Sequence, residues 1–172
     1  LPDDFVPERI LAILVEHGVQ FVLVGDMAVA AYGGPLSTLW PDVTPETSRD
    51  NLERLADALR ALDARVRRPN PPEGLAFACD ATSLAAASSW NLTTPFGDLD
   101  ISFTPAGTTG YDSLAADAGP IDFRGVTVQL ASLADIVCSK SAANRPKDQR
   151  ALPVLRELLA AQTRARAARG TP

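Results

Sequence analysis

Gln20-Phe21-Val22-Leu23-Val24-Gly25-Asp26-Met27-Ala28-Val29-Ala30-Ala31-Tyr32-Gly33-Gly34 is the stretch on which the fold turns. Residues 20–24 form a short apolar run, which reads as a buried strand. Gly25 breaks the run, Met27–Tyr32 reads as a helix, and Gly33-Gly34-Pro35 ends it. A glycine at such a corner lets backbone amides approach a phosphate, and a helix N-terminus favours anions. Taken alone the corner says little, because most strand–Gly–helix turns merely connect two elements.

Working outward, residues 7–17 place Ile10, Leu11, Leu14 and Val15 at helical spacing behind Pro7, with Gly18 as the stop. His17, the only histidine, sits at that helix end, a structural position. Residues 36–46 are irregular, with Pro41, Pro45 and a short edge strand around Asp42–Thr44. Ser48 predicts an N-cap for a helix over 49–62. A strand at 64–67, a turn-rich loop at 69–74, strands near 75–79, 89–94 and 98–103, and a short helix near 111–116 follow. Arg124-Gly125 joins 121–123 and 126–130 as a hairpin. Ser132 caps a helix to about Ala143, Asn144-Arg145-Pro146 interrupts, and a last helix starts near Lys147. Helices and strands alternate without a clean βαβ repeat, so the fold class is α+β with a mixed sheet flanked by helices. One domain over 1–172 is expected, with a basic C-terminal tail at 160–172.

Composition narrows the function. The 172 residues carry a net charge of -5, so no global positive field attracts nucleic acid, and any RNA contact needs a local patch. Arg65, Arg67 and Arg68 form one such cluster; Arg164, Arg166 and Arg169 form another. Each is equally readable as solvated surface. Two cysteines, Cys79 and Cys138, make no disulfide framework and read as buried thiols in a reducing, cytoplasmic setting. A single histidine argues against a Ser-His-Asp site and a His-based metal site. No run approaches the roughly 18 apolar residues of a membrane span, so no membrane partner is expected. The acidic Leu1-Pro2-Asp3-Asp4 does not read as a signal peptide.

The chemistry-bearing residues lie far apart in sequence. In Gly97-Asp98-Leu99-Asp100-Ile101-Ser102-Phe103, strand alternation puts Asp98 and Asp100 on one face. Adjacent carboxylates repel unless a cation lies between them or one is protonated. Mg²⁺ takes oxygen ligands, usually one or two carboxylates plus substrate phosphates. Asp98-x-Asp100 is therefore a candidate metal platform; the alternative is a solvent-facing edge with two idle acids. Ser139-Lys140 and Asn144-Arg145-Pro146-Lys147-Asp148-Gln149-Arg150 supply a point charge and a planar fork for phosphates, or else a solvated helix junction.

Together these stretches resemble the nucleotidyltransferase superfamily, polymerase-beta-like in fold, and within it the AbiEii/MenT-like group of toxin–antitoxin systems. The resemblance rests on Phe21 through Gly25 with Ala28, Tyr32 and Gly33, on Thr38 with Asp42-Val43, on Asp98-Leu99-Asp100, and on Val126 through Leu155. Residues 135–148 are its most specific part. It implies that Gly25 and Asp26 form the triphosphate turn and that Asp42, Asp98 and Asp100 hold Mg²⁺. Asp100 would activate the attacking hydroxyl, Lys140 would face the triphosphate, and Arg145, Lys147 and Asp148 would complete the pocket. Thr38 matches a residue that a partner antitoxin phosphorylates in some relatives. Two departures stand out: Trp40 occupies the place of the first metal-binding acid, and Asp26 that of a Gly or Ser.

The implied function is toxin-like transfer of nucleotides from an NTP to a tRNA 3′ end, blocking translation. Two other readings stand beside it: the same chemistry on a small molecule or protein, and a non-catalytic binding module with a degenerate metal site, favoured by Trp40. Trp40 or Trp90 could anchor a partner, though Trp90 reads first as core.

Overall fold

The computed structural model describes residues 6–34 and 40–169. Its centre is a seven-stranded mixed sheet. The strands are β1 (Phe21–Val24), β2 (Asp42–Pro45), β3 (Arg65–Val66), β4 (Ser89–Thr94), β5 (Gly97–Ser102), β6 (Gly119–Phe123) and β7 (Val126–Leu130). Their spatial order is β3-β4-β5-β2-β1-β7-β6. The β1–β7 and β2–β5 pairs are parallel; the other neighbours are antiparallel. β2 thus lies inside the sheet, not at the edge that its two prolines suggest. Pro41 precedes the strand and Pro45 closes it, so neither removes an interior ladder bond.

The helices are α1 (Pro7–Glu16), α2 (Gly25–Ala31), α3 (Arg49–Ala61), α4 (Ala81–Ala85), α5 (Tyr111–Ala115), α6 (Leu133–Ala143) and α7 (Pro146–Arg169). α1 buries Ile10, Leu11 and Leu14 along its stripe and packs on α3. α3 begins at Ser48, whose hydroxyl accepts from the Asn51 N–H, and buries Leu52, Leu55 and Leu59. A second group forms where α2 meets α6 and α6 meets α7. Successive β1 residues point to opposite faces, yet Val22 and Leu23 are both buried, so helices cover both sides of the sheet there.

Asn51 ties the centre together. Its side chain accepts from Gln20 N at 2.8 Å and donates to Gln20 O at 2.9 Å and Glu46 O at 2.7 Å. Fully buried, it joins the start of β1 to the end of β2 with every bond made. The β6–β7 turn carries positive φ at Arg124 and Gly125, as a type I′ hairpin requires. Residues 75–79 make only an isolated bridge, Leu75 with Val66, where a strand is predicted. Cys138 is exposed and only Cys79 is partly sheltered, so the expected pair of buried thiols does not form. Among the described residues, no helix is long and apolar enough to cross a membrane.

Candidate active site

The site follows one row across the sheet. Val24 pairs with Asp42, Asp42 with Asp100, and Asp100 with Asn91. Arg67, just past β3, extends the row by donating its N–H to Asn91 O at 2.9 Å. Asp42 and Asp100, which are 58 positions apart in sequence, are therefore side by side on parallel strands. Gly25 follows β1 directly at φ +69°, and a Cβ there would lie 2.2 Å from Asp42 Oδ2. Only glycine leaves that space, so the corner is shaped by the carboxylate it receives.

Asp42 carries a strongly perturbed charge. Burial, then repulsion from Asp100 and Asp26, lifts its pKa from the usual 3.8 to about 7; Lys147 and the Asp26 N–H pull the other way. A sheltered acid beside other acids is what a divalent cation would relieve. Among the described residues, no group of three or more His, Cys, Asp or Glu forms a metal cluster. Asp42 and Asp100, paired in register, are the residues that would hold Mg²⁺, with substrate oxygens completing the coordination.

Asp98 does not join that pair. Its Oδ2 lies 2.8 Å from Arg67 Nη1, and Arg67 Nη2 donates to Asp100 Oδ1 at 2.7 Å. Asp100 Oδ1 also accepts from Asn91 Nδ2 at 2.7 Å, and its Oδ2 accepts from Trp40 Nε1 at 3.1 Å. Sequence reasoning treats Arg67 as part of a surface patch and says nothing of Asn91. Only the i, i+2 spacing of Asp98 and Asp100, which fits a guanidinium fork as well as a metal, carries a signal.

Behind the glycine corner lies a second ionic cluster. Lys140 Nζ donates to Asp26 Oδ1 at 2.7 Å and to Asp148 Oδ1 at 3.0 Å. Arg145 Nε donates to Asp148 Oδ2 at 2.6 Å, and Lys147 Nζ to Asp26 Oδ2 at 3.3 Å. Asp26, Lys140 and Asp148 are 3%, 5% and 0% exposed. Lys140, expected to face the triphosphate, spends its ammonium on two interior carboxylates instead. Asp26, expected in the triphosphate turn, has its carboxylate drawn into the same cluster. Asp148 is a partner of these cations rather than a group aimed at substrate. Burial alone would raise its pKa, yet bonds from Arg145 and Lys140 hold it below the usual range. Its carboxylate in turn raises the pKa of Arg145.

The two clusters border one open cleft of about 310 Å³, lined by Gly25, Asp42, Asn91, Asp100, Ser139 and Arg145 among others. Arg145 and Lys147 are the cations of the inner cluster that keep substantial exposure, at 59% and 37% of their side chains. Of the two, Arg145 lines the cleft. Thr38 lies outside the described residues. Trp90 is partly buried, bonds Leu84 O at 3.2 Å and rests on Phe77 with ring centroids 4.9 Å apart, in keeping with a packing role.

No family model matches the chain, and no curated protein sequence does. Solved structures do. The lincosamide antibiotic adenylyltransferase LnuA, bound to lincomycin, superposes with a TM-score of 0.57 at 12% identity, covering 91% of this chain and 99% of that one. ANT(2″)-Ia in complex with adenylyl-2″-tobramycin gives a TM-score of 0.53 at 18% identity, covering 91% and 88%. A solution structure of the antibiotic-resistance factor ANT(2″)-Ia gives 0.52 at 17% identity, covering 94% and 91%. The chain has the α+β fold of these nucleotidyltransferases, with a mixed sheet and flanking helices.

Proposed function

We propose that this chain transfers a nucleotide from an NTP to a hydroxyl of a small molecule. The observation that carries the proposal is the register pair Asp42–Asp100 beside Gly25, opening on a cleft that Arg145 also lines. Acids and an arginine lining one cleft suit a polyphosphate whose leaving end needs positive charge. The small-molecule acceptor is supported by structural neighbours that adenylylate antibiotics and match along nearly their whole length.

In the reaction, the acceptor hydroxyl oxygen bonds to the α-phosphorus. The bond from that phosphorus to the α,β-bridging oxygen breaks, pyrophosphate leaves, and the hydroxyl proton passes to Asp100. The Asp100 oxygen suited to this is Oδ2, which carries only the Trp40 bond, whereas Oδ1 takes two. Arg145 and Lys147 hold the β- and γ-phosphates. Mg²⁺, when bound at Asp42 and Asp100, supplies neutralisation of phosphate charge. The chain's own contribution is largely positioning and fixed electrostatics.

A tRNA 3′ end is the second acceptor, favoured by the exposed Arg164 and Arg166 on α7. With it goes toxin activity restrained by an antitoxin acting at Thr38. The deciding experiment incubates the protein with α-labelled NTPs, Mg²⁺ and separate pools of aminoglycosides and lincosamides, tRNA, and proteins. Label is expected in the small-molecule pool, and lost in Asp42→Ala and Asp100→Ala. Label on tRNA instead would establish the second acceptor. Label that persists in both variants removes the two acids from the mechanism, and absence of Mg-NTP binding would leave only a binding module.

A further inference from the structure

Arg67 is held by four residues, Asp98, Asp100, Trp40 and Asn91. Nη2 donates to Asp100 Oδ1 at 2.7 Å, and Nη1 lies 2.8 Å from Asp98 Oδ2. Nη1 is buried and meets Asp98 by charge rather than through an aligned hydrogen bond. The guanidinium carbon sits 5.4 Å from the centroid of the Trp40 ring. The Arg67 N–H donates to Asn91 O, and Asn91 Nδ2 donates to the same Asp100 oxygen that Arg67 holds. A surface arginine keeps rotamer freedom; this one has its backbone, its plane and both terminal nitrogens placed.

Residues i and i+2 of a strand are roughly 6–7 Å apart. The two carboxylates lie on the same face and can share one cation across this spacing. A guanidinium fork spans it with one nitrogen for each. The cationic plane faces an indole, an attractive geometry for arginine. Trp40 also donates to Asp100 Oδ2, so a single residue orients both the carboxylate and its counter-ion.

We infer that Arg67 is a resident cation of the active site, held by Trp40 between Asp98 and Asp100 in the position where a second divalent ion would bind, so that the site takes one such ion, at Asp42 and Asp100. The inference rests on the nucleotidyl-transfer reading and adds a positioning residue to it. Asp98 becomes the anchor of Arg67 and no metal ligand. Trp40 becomes the support of a fixed charge rather than the scar of a lost acid.

The test counts Mn²⁺ on the full chain by electron paramagnetic resonance, without nucleotide. The wild type is expected to bind one ion. Arg67→Ala frees Asp98 and Asp100 and is expected to bind two, whereas Arg67→Lys stays at one. Asp98→Asn keeps Arg67 on Asp100 and is expected to bind one ion with affinity within about twofold of wild type. Two ions on the wild type, one on Arg67→Ala, or a tenfold or greater loss of affinity in Asp98→Asn would each overturn the inference. Should Arg67→Ala fail to fold, the wild-type and Asp98→Asn results decide alone. A chain that shows the expected ion counts but labels no acceptor sinks the transfer reading and spares the fixed cation. A chain that labels acceptors while binding two ions does the reverse.

Discussion

Two ionic clusters meet at Gly25, and they are built on opposite plans. The inner one, behind the corner, sets two carboxylates, Asp26 and Asp148, against three cations, Lys140, Arg145 and Lys147. Its carboxylates are buried and fully engaged. The outer one, along the sheet row, sets three carboxylates, Asp42, Asp98 and Asp100, against Arg67 alone. It is left short of positive charge, and Asp42 shows this in a pKa raised by burial and by its acidic neighbours. The comparison teaches that sequence charge is a poor guide to site charge. Asp26 and Asp42 both reach the glycine corner, yet one is neutralised by the fold and the other is left for a ligand to neutralise.

The sharpest way to break this contrast is to remove the outer acids. Asp42→Ala and Asp100→Ala are expected to lower kcat/KM at least about 10³-fold, the scale of losing a principal electrostatic contact to the reacting group. Circular dichroism should show an intact fold. The inner cluster should answer oppositely, in stability. Lys140→Met leaves Asp26 and Asp148 without their shared partner and is expected to cost about 3–5 kcal/mol in urea unfolding, as for a broken buried ion pair.

Acid–base behaviour separates the clusters further. The folded chain holds the Asp42 proton more tightly than the unfolded chain, so stability falls as pH rises from about 4 to about 7 and stays lower above that. Asp42→Asn removes this dependence. It is expected to raise the unfolding free energy by about 1–3 kcal/mol at pH 8 and to change little at pH 4, since each tenfold in proton affinity is worth ~1.4 kcal/mol. Saturating Mg²⁺ should give wild type part of the same gain at pH 8. An unchanged difference between the two pH values would mean that Asp42 is not the strained acid. The smallest effect belongs to the cleft's rim: Lys147→Ala is expected to raise KM for NTP about tenfold, or ~1.4 kcal/mol, with kcat nearly unchanged.

Much of the scaffold was legible because its signals are local. Ser48 and Ser132 cap their helices by accepting an N–H three residues on, Asn144 ends α6 in the left-handed region, and Arg124-Gly125 makes the hairpin. The short helix α4 was missed although it too has such a signal: Asp80 accepts from Ser83 N at 2.7 Å. The expected edge position of β2 failed for a different reason. Prolines report local backbone limits, whereas a strand's neighbours are chosen by long-range pairing and burial. Of the site, Gly25, Asp42 and Asp100 were readable through their order along the chain. Lys140, Asp98 and Arg67 were readable as charges but not in their pairings, because a formal charge carries no direction.

By itself the sequence determined a helix–strand–glycine–helix entry, an alternating α+β chain and acids spaced to share a strand face, since propensity, capping and alternation act within a few residues. Only the tertiary structure decided that Asp42 lies beside Asp100 and against Gly25, that Lys140 turns inward, and that Arg67 crosses to the acids. The physical reason is that strand register and burial set which charges face each other, and with them the cost of each. Both are properties of chain segments brought together from far apart in sequence.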